Sequence, residues 1–125
     1  MKVAIEELSR VEIITNEAKL EELVKAFSHF GITGMTIYDA KGCGVQFGTP
    51  EYEDGKNPVP QLIKKQAMMV VLPSKQVDAF LEFVGKSLYT GHIGDGKIFV
   101  SPITNAIRVR TGEEGMEALT EGLLD

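Results

Sequence analysis

The stretch "QAMMVVLPSKQVDAFLEFVGKSL", residues 66–88, contains the change of hydrophobic period that decides the fold. Its first eight residues, 66–73, are apolar at nearly consecutive positions and rich in valine and methionine, which reads as a buried strand closed by Pro73. Ser74 is then the expected N-cap of a helix. Val77, Phe80, Leu81, Val84 and Leu88 follow at helical spacing and share one face, and the helix ends near Tyr89.

The same strand-then-helix unit occurs upstream. "VEIIT", residues 11–15, is β-branched and reads as a strand, and "NEAKLEELVKAFSHFG" follows with Asn16 as N-cap. Leu20, Leu23, Val24 and Phe27 form its apolar face, and Gly31 is the natural stop. "TGMTIYDA", residues 33–40, reads as the second strand, "KIFVSPI", residues 97–103, as the fourth, and "AIRVRTG", residues 106–112, as a short fifth extended segment. The order β-α-β-β-α-β predicts an α+β, ferredoxin-like domain with an extra short C-terminal strand, two helices covering one face of an antiparallel sheet.

The other face of that sheet is the next question. Strands 66–73 and 97–103 are apolar on both faces, and such strands are covered on both. With two helices available, further copies of the chain are the expected cover, so an oligomer is predicted. The alternative is that the N-terminal "MKVAIEELSR" or the C-terminal "GMEALTEGLL" folds over it.

With 125 residues, the chain fits one domain. Its apolar runs are too short for a membrane span or a signal peptide, so a cytoplasmic protein is expected. One cysteine, Cys43, forbids an internal disulfide. With His29 and His92 as the two histidines, no metal-ligand spacing is present. Cys43 itself reads as a small loop residue rather than a reactive thiol. A net charge of −5 and the absence of tryptophan argue against nucleic acid as a partner. Any polyanionic ligand must meet a local basic cluster.

Two such clusters exist. In "TGHIGDGKIFVSPI", residues 90–103, Gly91, Gly94 and Gly96 leave backbone N–H groups open to a phosphate, with Lys97 adding charge; the alternative is a turn that needs positive φ. Arg108 and Arg110 stand two apart, which in an extended segment puts both guanidiniums on one face, a fork suited to phosphate oxygens. The alternative there is a solvated pair bridged to Glu113 or Glu114. No histidine or carboxylate in these blocks is placed as a general base except Asp95, which fits better as a brace for its glycine loop, so an enzyme is not expected. Residues 41–65, "KGCGVQFGTPEYEDGKNPVPQLIKK", form a connection longer than structureless loops usually run, which reads as a partner-binding arm or a hairpin extension.

Together, "GMTIYDAKGCGVQFG", "TGHIGDGKIFVSPI" and "AIRVRTGEEG" resemble the PII signal-transduction protein family, trimeric ferredoxin-like regulators that bind ATP or ADP between subunits. The similarity runs from about Val11 to Leu119 without gaps, and it implies a single domain, 11–125, preceded by an extension, 1–10, beyond the family's usual start. It implies a homotrimer in which Gly94, Asp95, Gly96 and Lys97 hold the phosphates and Arg108 and Arg110 clamp them from a neighbouring subunit. It also implies that Ile14, Thr36 and Val71 line the adenine pocket, that Gly42, Cys43 and Gly44 approach the nucleotide at the loop base, and that Gln46 and Lys65 match the positions through which relatives bind 2-oxoglutarate beside Mg-ATP. ADP, ATP and AMP are the implied ligands. The implied role is control of a partner, such as a membrane transporter, through the 41–65 loop.

Departures from the family pattern are specific. Pro58 in "EDGKNP" stands where the family has its modified tyrosine, which excludes uridylylation there, and Tyr52 lies in another context. Val45 replaces an arginine, and Cys43 the phenylalanine of the family's Lys-Gly-Phe-Gly run. A divergent member is implied, one whose task extends to candidates such as inorganic-carbon or metal handling; a small nucleotide-processing enzyme is the alternative.

Overall fold

The computed structural model describes residues 8–30, 32, 34–43, 62–91 and 96–119. Strand β1 spans Leu8–Thr15, helix α1 Glu17–Ala26, β2 Thr36–Gly42, β3 Ile63–Pro73, α2 Val77–Leu88, β4 Lys97–Ile103 and the short α3 Met116–Leu119. The described strands form one four-stranded sheet in the order β2-β3-β1-β4, and every neighbouring pair is antiparallel. This is the expected α+β, ferredoxin-like plan.

Alternation along the central strands sorts side chains to two faces. Val11 and Ile13 of β1 and Met68, Val70 and Leu72 of β3 enter the core, where they meet Leu20, Leu23 and Phe27 from the first helical segment and Val77, Phe80, Val84 and Leu88 from α2. The helical residues are those whose spacing predicted them, with Val24 and Leu81 at the margin. Phe80 is fully buried, with the rings of Phe27 and Phe30 at 5.4 and 5.5 Å, the second edge-on.

Asn16 caps α1 as expected, its Oδ1 accepting from the Lys19 amide at 3.0 Å, and the α-helix gives way to a 3-10 turn over Phe27–Phe30. Lys19 Nζ reaches across to donate to the carbonyl of Leu88 at 2.9 Å, one of the carbonyls that a helix end leaves without an intrahelical donor.

Several boundaries differ from expectation. β1 starts at Leu8 rather than Val11, because Leu8, Ser9 and Arg10 continue both ladders, opposite Val71–Pro73 on one side and Ser101–Ile103 on the other. Part of the expected extension is therefore sheet. The 41–65 connection is shortened at both ends, since β2 runs through Gly42 and β3 begins at Ile63. Ser74 does not cap α2: a 3-10 turn, Ser74–Gln76, precedes that helix, and the Ser74 hydroxyl instead meets Ser9 Oγ at 2.6 Å. Ser9 is buried, so its hydroxyl needs that partner.

The expected fifth strand is a correction. Residues 109–111 form a turn, and in place of a strand ladder the segment has an isolated antiparallel bridge between Ile107 and Glu114. Helix α3 then lies against β3. Part of the C-terminal segment thus approaches the sheet, yet Tyr38 and Phe99 on the face opposite the helices stay exposed.

Candidate functional site

Register fixes which residues share the face opposite the helices. Tyr38, Ala67, Ile14 and Lys97 stand in one row across all four strands, and Thr36, Met69, Glu12 and Phe99 in the next. Beside that second row come Val71, Arg10 and Ser101; beyond the first come Lys65 opposite Ala40 and Ile63 opposite Gly42. Ile14, Thr36, Gly42, Lys65, Val71 and Lys97, drawn from four strands and from remote parts of the sequence, therefore converge on one surface. Ile14 and Val71 are half-buried there, and Thr36 and Lys97 are exposed.

Two close approaches shape this surface. A Cβ on Gly42 would lie 3.3 Å from Lys65 Cγ, so the missing side chain leaves room for the lysine stem. Gly96 has φ +114°, and a Cβ there would lie 2.6 Å from the Ile14 carbonyl oxygen and about 3 Å from the Thr15 side chain. Gly91 is also at positive φ, +84°. The turn requirement is thus met at both glycines, and at Gly96 it also brings the backbone onto β1 immediately before Lys97. Gly44, Gln46, Gly94 and Asp95, together with Val45, lie outside the described residues. Cys43 is an exposed free thiol at the end of β2.

On the same face Arg10 Nη2 donates to Glu12 Oε2 at 3.1 Å, and the Tyr38 hydroxyl donates to the same oxygen. This polar triangle links β1 to β2 across β3. Sequence spacing gave no sign of it, because Tyr38 and Glu12 meet only through the register of two ladders.

Arg108 and Arg110 are arranged differently from the expected fork. The turn at 109–111 ends strict alternation, so the two guanidiniums are not presented as an extended pair. Arg108 Nη1 donates to Glu113 Oε1 at 2.7 Å and Nη2 to the Ala118 carbonyl at 3.2 Å, and the arginine side chain is only 11% exposed. Between the two candidate carboxylates, Glu113 is the arginine's partner. Glu114 Oε1 accepts instead from Asn105 Nδ2 at 2.7 Å. The Thr111 hydroxyl donates to Glu113 Oε1, and this bond, with the Arg108 contact and the charges of Arg108 and Arg110, holds the Glu113 carboxyl below its ordinary range against the opposing effect of desolvation. Backbone bonds from Arg108 N to Glu113 O and from Gly112 N to Arg108 O close the hairpin, with Gly112 at φ +78°.

Among the described residues, no group of three or more His, Cys, Asp or Glu could hold a metal ion, and no helix is long and apolar enough to cross a membrane.

The sequence model of the family described as nitrogen regulatory protein P-II matches residues 8–113. A nitrogen regulatory protein P-II of Mesorhizobium japonicum is 40% identical over 112 residues, covering 90% of this chain and all of the relative. That of Cyanidium caldarium is 37% identical over 111 residues, covering 89% and 98%. Among solved structures, the B. subtilis GlnK-ATP complex superposes with a TM-score of 0.77 at 37% identity, covering 90% of this chain and 98% of that one. Arabidopsis thaliana PII bound to citrate gives 0.73 at 31% identity, covering 94% of each.

Proposed function

Because this chain belongs to the nitrogen regulatory protein P-II family, a family of signalling regulators and not of enzymes, we propose that it is a homotrimeric sensor of adenine nucleotides. It controls a partner protein, a membrane transporter being the leading candidate, through its 41–65 loop. The observation that carries this reading is the convergence of Ile14, Thr36, Gly42, Lys65, Val71 and Lys97 on one sheet face. The ATP held by the B. subtilis relative supports the nucleotide, and the citrate held by the Arabidopsis relative supports a small carboxylate ligand, for which Gln46 and Lys65 are the assigned contacts.

In this reading Ile14, Thr36 and Val71 pack against the base, while Gly42, Cys43 and Gly44 let the loop backbone approach. Gly94, Asp95, Gly96 and Lys97 hold the phosphates, and Arg108 and Arg110 reach them from a neighbouring subunit. Magnesium arrives on the phosphates of ATP. Signalling is a population shift: each ligand moves the loop by as much as it binds one loop state better than the other.

Calorimetric titration with ADP and ATP, with and without magnesium, tests the reading. Lys97→Ala is expected to weaken both nucleotides by roughly 10- to 150-fold, the loss of one charge-assisted contact of about 1.5–3 kcal/mol, without changing the oligomer. Because Val45 offers no charge where the family has an arginine, ADP is expected to bind at least as tightly as ATP. Unaltered affinity in Lys97→Ala would remove Lys97 from the site.

A further inference from the structure

Arg108 is tied inward by groups of its own chain, and the manner of that tie bears on how a ligand reaches it. Its two terminal nitrogens diverge, Nη1 to the Glu113 carboxylate and Nη2 to the Ala118 carbonyl. A phosphate takes a guanidinium side-on, through two parallel N–H···O bonds. Such binding would engage nitrogens that Glu113 and Ala118 now occupy.

The two partners differ in what they lose. Arg108 is 11% exposed and needs a replacement for any contact it gives up, which a phosphate provides. Glu113 is 37% exposed and keeps the Thr111 hydroxyl at 2.7 Å, with Arg110 contributing a favourable charge. Exchange of carboxylate for phosphate therefore strands neither charged group.

Building on the nucleotide reading above, we propose that Glu113 is an intramolecular competitor for the Arg108 guanidinium, which lowers the affinity of phosphate-bearing ligands and raises the concentration at which the protein responds. The same exchange releases the Ala118 carbonyl at the end of α3. Ligand binding at Arg108 thus loosens the C-terminal turn, and by reciprocity whatever fixes that turn weakens the ligand.

The test is calorimetry on the full chain with ADP and, as a phosphate-free control, adenosine. Glu113→Gln is expected to bind ADP about two- to fivefold more tightly, the scale of a partly exposed ion pair. Adenosine affinity should stay unchanged. In an Arg108→Ala background the same substitution should give no gain. The hairpin's Arg108 to Glu113 bond is made by backbone, so the variant keeps its fold; Glu113→Asp, which retracts the carboxylate, is expected to give a smaller gain. Hydrogen exchange at residues 116–119 should rise when ADP binds the wild type.

Equal or weaker ADP binding by Glu113→Gln, beside a wild type that binds, overturns the competitor role alone and makes Glu113 a positioning residue for Arg108. A gain that persists without Arg108, or that adenosine shares, overturns it equally. A wild type and variant that both ignore ADP overturn it together with the nucleotide reading on which it rests.

Discussion

At Gly96 no side chain fits. Its φ of +114° lies in the region reserved for glycine, and a Cβ would sit 2.6 Å from the Ile14 carbonyl, a backbone atom that cannot swing aside. Gly96→Ala is expected to cost about 1–3 kcal/mol in urea denaturation, and to move Lys97 with it. Gly85 is the contrast: it lies inside α2 with open space where a Cβ would go, so Gly85→Ala should stabilise by about 0.5–1 kcal/mol. A Gly96→Ala variant as stable as wild type would mean that β1 yields at Ile14. Glycine before a strand was legible in the sequence as a turn; that this turn presses on β1 was not, because the contact joins residues more than eighty positions apart. Ser74 illustrates the opposite failure. A serine ahead of a helical pattern is a sound cap signal, but here a buried Ser9 on the neighbouring strand claims its hydroxyl.

Among the elements, the two long helices were read correctly because a 3.6-residue period over ten or more positions is redundant information; one misplaced residue does not erase it. Strand ends carry no such redundancy. Leu8–Arg10 belong to β1 only because partners on both sides extend that far. The hairpin bridged by Ile107 and Glu114 was misread as a strand since alternation in "AIRVR" is genuine but too short to outweigh the turn that Gly112 permits at positive φ. That hairpin should respond to acid. The Glu113 carboxyl titrates below its ordinary value of 4.5, held there by Thr111 and then by Arg108 and Arg110. Its contribution is therefore complete above the ordinary value and fades as pH falls through the lowered one. Protection of the Arg108 and Gly112 amides, taken relative to their intrinsic exchange rates, is expected to fall across that acidic window, and carboxyl NMR should place the Glu113 midpoint below that of exposed glutamates. A midpoint at or above theirs would refute the assignment.

In the whole molecule, the open sheet face is the surface that the proposed trimer would cover. Phe99 is 52% exposed in β4 and shares a row with Glu12, Met69 and Thr36. Phe99→Asp would put a charge into a subunit interface and is expected to convert a trimer into monomers by light scattering at micromolar concentration, while the monomer keeps its helix-side core. A trimer that survives this change would place the interface elsewhere. The expectation of a second cover rests on strands apolar on both faces; the Arg10, Glu12 and Tyr38 triangle was not legible, because polar contacts across a sheet depend on register, which sequence spacing leaves open.

Strand β1 holds a ladder on each side, and neither partner is near it in the chain: Leu8 pairs with Pro73 on one side and with Ile103 on the other. During synthesis the first of the four described strands to be made is thus among the last to be completed. A nascent chain must extend past Ile103, with that segment clear of the ribosome, before β1 loses its second open edge, and until then the strand is a template for any other extended segment. Loop closures of that length also slow folding relative to a helical domain of equal size. The price of a sheet whose inner strand β1 precedes both of its partners in the chain is a long exposure at birth, during which chaperone capture competes with completion of the fold.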